Sequence, residues 1–193
     1  MEKGRLEAFS DGVFAIIITI MVLELKAPHS ADLAALLDVA PAFFGYVLSF
    51  TNVAIYWNNH HHLFQAVERI DGSVLWANNV LLFFLSLVPF ATDWMGENHF
   101  ATLPVALYGI VLLMPALAYY VLARRIVRLQ VNSELSSALG EDWKGRISPI
   151  LYIAGAGLAF VTPVIGELLY VLVALIWLVP DRRIERRFHG RSE

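Results

Sequence analysis

The stretch Arg5-Leu6-Glu7-Ala8-Phe9-Ser10-Asp11-Gly12-Val13-Phe14-Ala15-Ile16-Ile17-Ile18-Thr19-Ile20-Met21-Val22-Leu23 decides the fold. Beyond Asp11 it carries no charge until Glu24. A helix needs about 20 mostly apolar residues to cross roughly 30 Å of hydrocarbon. The stretch therefore reads as a membrane-spanning helix that opens with a polar turn. Charges run into its apolar part and no small-residue cleavage site follows, so it is not expected to be a signal peptide. At about 100° per residue, Gly12, Ile16, Thr19, Ile20 and Leu23 share one face, with Asp11 roughly opposite. Such a stripe is also what simple packing in an apolar bundle produces. An ionisable residue inside a membrane helix is costly and faces protein or water. Asp11 is thus either a functional group or the partner of a base on another helix.

The same reading extends outward. The first span covers about 5–25, and further apolar stretches lie at about 41–64, 74–92, 103–123, 147–165 and 167–180. Gly166 is the only obvious break between the last two, which alternatively form a re-entrant pair. Of the 193 residues only 16% are charged and 58% are hydrophobic, against about 25% charged in soluble domains. The fold class is therefore all-α, one polytopic membrane domain over 1–193 with six helices. The 14 Lys and Arg residues divide unevenly over alternate loops. Only Lys26 falls on one side. The other side takes Lys3, Arg5, Arg69, the linker 124–146 and the basic tail 181–193. The positive-inside rule then predicts both termini in the cytoplasm and an even number of spans, in a cell membrane. The linker reads as an amphipathic extension of the fourth helix with a turn at Gly140. The opposite loops are short and acidic, with Asp32, Asp38, Asp93 and Glu97.

The second span ends in Trp57-Asn58-Asn59-His60-His61-His62. Adjacent helical positions point about 100° apart, so three consecutive histidines cannot all bind one ion. The i,i+4 pair with a further ligand that zinc sites use is not visible. Hydrogen bonding is the expected role. Trp57 and His61 share a face, and Asp11 is expected to pair with Arg5 or His61. Asn78 and Asn79 read as interhelical glue, Pro104 and Pro115 as bends, and Gly155 and Gly157 as sites of close packing. There is no cysteine, which excludes disulfides and thiolate metal sites. No nucleophile elbow, phosphate loop or His-Glu-x-x-His is present. The chain is not expected to be an enzyme, to carry a cofactor or to bind nucleic acid.

Arg5, Phe9, Ser10 and Asp11, followed by Gly12-Val13-Phe14-Ala15-Ile16, closely resemble the Arg-x-x-x-Phe-Ser-Asp signature of the transmembrane protein 175 family of cation channels. Trp57, His60 and His61 are similar to the Trp-x-x-His-His stretch of that family's second helix. The resemblance implies a prokaryotic member with one six-helix repeat per chain, assembled as a homotetramer in the bilayer around a pore lined by first helices. It implies passage of monovalent cations, potassium preferred to sodium, without the Thr-Val-Gly-Tyr-Gly filter, which is absent here too. On this sequence the constriction falls at Ile16. Thr19 and Leu23 lie outward of it, and Gly12 and Ile20 lie along the path. Arg5, Phe9, Ser10 and Asp11, with Trp57, His60 and His61, form the network that holds the pore helix. Two other readings remain at this point. One is a proton-coupled or metal-ion transporter using Asp11 and His60–His62. The other is a membrane enzyme with a His-bound metal or haem. A transporter is expected to place ionisable groups near the midplane, whereas Asp11 sits close to the inner boundary.

Overall fold

The computed structural model describes residues 2–65, 67, 69–129 and 143–178. The turn expected at Gly140 and the basic tail lie outside these residues. The described chain is all-helical: α1 Lys3–Leu23, α2 Leu33–Asp38, α3 Ala40–Gln65, α4 Gly72–Leu85, α5 Val88–Glu97, α6 Thr102–Leu129, α7 Trp143–Leu158 and α8 Pro163–Leu178. Among the described residues, three stretches are long and apolar enough to cross a membrane: Lys3–Leu23, Gly72–Glu97 taken through its kink, and Thr102–Leu129. Pro163–Leu178 is apolar but shorter.

The expected third span, 74–92, is two helices. Its ladder breaks at Ser86–Leu87 because Pro89 has no N–H to give to Leu85. The Leu87 amide bonds back to Phe84 O instead, and Ser86 Oγ donates to Phe83 O at 2.7 Å. The boundary expected at Gly166 is also displaced. α7 ends at Leu158, and Thr162-Pro163 opens α8, with proline in the first turn, where a missing N–H costs nothing. Gly166 lies inside α8, close against the Gly155 carbonyl, and is a packing residue. The short α2 has no counterpart among the expected spans. Asp32 caps it by accepting from the Ala35 amide at 2.8 Å. The α5–α6 turn holds His99 and Phe100 at φ 47° and 56°, left-handed conformations that non-glycine residues rarely adopt.

α6 is the central helix, packed by α4, α5, α7 and α8. At its heart the Tyr170 ring sits between Gly109 of α6 and Gly155 of α7, where a Cβ on either glycine would collide with the ring. Gly157 has open space beside it and plays no such part. Ser49 Oγ lies 2.6 Å from Thr92 Oγ1 and 2.8 Å from Tyr108 Oη, linking α3, α5 and α6 in the interior. The lateral surface is apolar, with Trp76, Phe83, Phe90 and Ile110 among its exposed side chains. α1 lies at one side, packed on α3, α4 and α5.

Candidate functional site

α1 has two distinct faces. Leu6, Ser10, Phe14, Ile17 and Met21 are buried, spaced three or four apart as a packed helical stripe requires. The opposite face is open. Ile16 is 58% exposed, Ile20 40% and Leu23 78%. Gly12 and Thr19 are exposed with them, and no neighbour comes within 4 Å of where a Cβ on Gly12 would lie. Ile18, by contrast, packs partly against the core.

A chain of hydrogen bonds fixes the buried face. His60, 1% exposed, donates from Nε2 to Asn78 Oδ1 at 2.8 Å. Asn78 Nδ2 donates to Ser10 Oγ, and Ser10 Oγ to Leu6 O, each at 2.9 Å. Every donor points the same way, from α3 through α4 into the backbone of α1. The amide and imidazole orientations follow from this, since each group can then satisfy its neighbour. Phe14 meets the His60 ring edge-on at 5.5 Å and Phe64 stacks on it at 4.4 Å. A fully buried imidazole is thus held by one hydrogen bond and two aromatic contacts.

Asp11 is held separately. Its Oδ1 accepts from Trp57 Nε1 at 2.9 Å, and Trp57 stacks on His61 one turn along. The partner expected from sequence, Arg5 or His61, is corrected. His61 bonds Gln65, and among the described residues neither it nor Arg5 forms an ion pair with Asp11. The reason is angular. Arg5 and Asp11 stand about 120° apart around α1, and Arg5 falls on the open face in line with Leu23. Phe9 is exposed on that face too. Asn78, read from sequence only as glue, is the bridge of the buried chain. Its signal was the Asn78-Asn79 pair at the same helix end as Ser10 and His60. No cluster of three potential metal ligands occurs among the described residues.

At the other end of α1, Lys26 Nζ forms an ion pair with Glu97 of α5, which raises the Lys26 pKa above its ordinary value. Glu24 and Asp93 face a groove between α1 and α5 that Ile16 and Ile20 also line. Thr19 Oγ1 donates to Ile16 O at 2.9 Å. With its proton directed to the backbone, the Thr19 oxygen keeps its lone pairs available outward.

Residues 5–89 match the family described as endosomal/lysosomal potassium channel TMEM175. A protein from Chryseobacterium sp. (strain P1-3), named as a potassium channel, is 56% identical over 187 residues, covering 96% of this chain and 97% of that one. One from Streptomyces collinus, named likewise, is 30% identical over 188 residues, 91% of each. Among solved structures, a lysosomal potassium-selective channel TMEM175 homolog from Chamaesiphon minutus matches with a TM-score of 0.81 at 29% identity, over 92% of this chain and 97% of that one. Similarity over nearly the full length of such relatives makes this chain a member of the TMEM175 family.

Proposed function

We propose that this protein is a potassium-selective cation channel of the cell membrane, a homotetramer whose central pore is lined by four copies of α1. Each chain crosses the bilayer six times with both termini in the cytoplasm, and the pore narrows at Ile16. One observation carries this reading: the open face of α1 from Gly12 to Leu23 has no ionisable side chain, while its other face is bolted to α3 and α4. A path walled by Ile16, Thr19, Ile20 and Leu23 has no fixed charge to trap an ion. Potassium sheds water more readily than sodium, so a narrow apolar neck with nearby hydroxyl oxygens favours it. The transporter reading needs a titrating group on the path, and Asp11 is turned to Trp57 instead. Family membership sets the enzyme reading aside.

Ion flux into liposomes holding the purified protein tests this. Potassium and caesium are expected to enter faster than sodium, and a large organic cation not at all. Equal entry of potassium and sodium, or flux only with a proton gradient, overturns it. Native mass spectrometry is expected to give four copies, and a monomer in several mild detergents contradicts the pore.

A further inference from the structure

The resemblance places Phe9 among the residues that hold α1, yet its side chain takes no part in holding it. Phe14, His60 and Phe64 meet on the buried face, and Trp57 stacks on His61. Among the described residues the Phe9 ring joins neither group and no part of the packed core. It is 56% exposed, although Leu6 and Ser10 near it in the chain are buried.

The helix fixes where it points. α1 runs from Lys3 to Leu23 with no proline. Seven residues make two turns less about 20°. Phe9, Ile16 and Leu23, each seven apart, therefore stand within about 40° of one another around α1. They are also its three most exposed large apolar residues. Gly12 and Thr19 follow Phe9 and Ile16 by three places, and both are exposed. Positions repeating at seven, with others three places on, form the seam along which like helices meet. Here the first set is large and the second small. A face turned to lipid needs no such repeat.

We infer that Phe9 lines the ion path as a second collar, about 10 Å toward the N-terminus from Ile16, with a wider chamber at Gly12 between the two. The inference rests on the channel reading: four copies of α1 that close at Ile16 also bring four phenyl rings together. A phenyl face attracts a cation that has shed part of its water, whereas Ile16 offers it nothing. Arg5 follows in line four residues earlier. Helical side chains lean toward the N-terminus, and from the first turns of α1 so long a chain reaches past the helix into water. Glu7 and Asp11 stand about 160° from Phe9 on either side, so neither shares the collar.

The chain has no cysteine, so an introduced thiol is the only one. Phe9→Cys, Ile16→Cys and Val22→Cys are oxidised in bilayers with copper phenanthroline, and covalent dimers are read on a denaturing gel, with no ion flux in the readout. Val22 is 45% exposed but stands about 120° from Ile16. Phe9→Cys and Ile16→Cys are expected to cross-link and Val22→Cys is not. Cross-linking of Ile16→Cys without Phe9→Cys overturns the second collar and leaves the pore reading standing. Cross-linking of neither overturns the pore reading and the inference with it. Equal cross-linking of all three overturns the assigned face. If Phe9→Cys does not yield intact protein, Phe9→benzoylphenylalanine keeps a ring there, and its light-driven cross-links are read on the same gel. Phe9→Cys is also labelled in detergent with trimethylammonioethyl or sulfonatoethyl methanethiosulfonate and then reconstituted. The cationic label is expected to give about tenfold lower potassium flux than the anionic one, since a fixed positive charge in the ring repels the ion. Equal flux with the two labels overturns the place of Phe9 on the ion path.

Discussion

The Trp57 indole donates to the Asp11 carboxylate at 2.9 Å, joining α3 to α1 through a neutral donor and not through an ion pair. Loss of the carboxylate therefore leaves no unpaired cation. A hydrogen bond to a charged group contributes about 1.5–3 kcal/mol, toward the low end where water can compete. Asp11→Ala and Trp57→Phe are each expected to cost about 1.5 kcal/mol, and the double variant little more than either. Asp11→Asn keeps an acceptor and should sit near the wild type. Thermal unfolding in detergent reads all four. A fully stable Asp11→Ala channel with altered ion preference would move Asp11 from anchor to pore.

The buried chain His60–Asn78–Ser10 is more costly to break. Asn78→Ala strands the His60 N–H and removes the donor to Ser10 in a site closed to water. Each unsatisfied buried group costs about 1–3 kcal/mol. Asn78→Ala is expected to destabilise more than Asp11→Ala, and Ser10→Ala less than Asn78→Ala because the His60 bond survives. The reverse order for the Ser10 and Asn78 variants would break the proposed direction of the chain.

How much of this is legible in the sequence depends on what each signal measures. Spacing along α1 sets Asp11 apart from the Ile16 stripe, but the face that packs, with Leu6, Phe14, Ile17 and Met21, is apolar as well, so spacing alone leaves open which face meets the bundle. Partnership across helices is different. Trp57 is placed in one network with Asp11, but charge favours Arg5 or His61 as the direct partner; Arg5 is turned away around α1, and the uncharged indole of Trp57 takes the bond. The break before Pro89 and the start at Pro163 were both marked by prolines in view. Hydropathy averages over such interruptions, so a kinked span reads as a straight one. Tyr170 between Gly109 and Gly155 depends on three helices meeting, which no single stretch encodes.

That meeting predicts a graded pattern. Gly109→Ala places a methyl against the Tyr170 hydroxyl, and Gly155→Ala places one against the ring edge at 2.5 Å. Overpacking of this kind costs about 1–3 kcal/mol. Tyr170→Phe is expected to recover part of the loss in Gly109→Ala and none in Gly155→Ala. Equal rescue of both would mean the ring shifts freely.

Asp71 caps α4, accepting from the Val74 amide at 2.9 Å and the Ser73 hydroxyl at 2.8 Å. These bonds hold its pKa below the ordinary carboxylate value. A depressed folded-state pKa gives stability that is present above the unfolded value and lost as pH falls through the folded one. The difference in melting temperature between wild type and Asp71→Ala should be full near neutral pH and shrink below about pH 4. A difference that grew on acidification would contradict the sign. Asp71→Asn retains a capping oxygen and should show no such pH dependence.

Ile16 is the sharpest test of the open face. Four copies converging on an axis would form an apolar collar that offers a permeating ion no ligands. Such a collar stops flow by closure or by dewetting. Ile16→Asn would put amides in the neck and hold water there, so flux should rise and discrimination against sodium should weaken. The side chain is 58% exposed in the single chain, so the change should leave folding intact. Ile18 lies about 200° around the helix and packs partly against the core. Ile18→Asn should therefore lower thermal stability and leave the selectivity of the surviving channels alone. Flux of potassium and sodium in liposomes, measured beside the melting temperature, separates the two effects. If both variants changed selectivity alike, or if Ile16→Asn changed neither flux nor selectivity, the pore would lie on another face of α1.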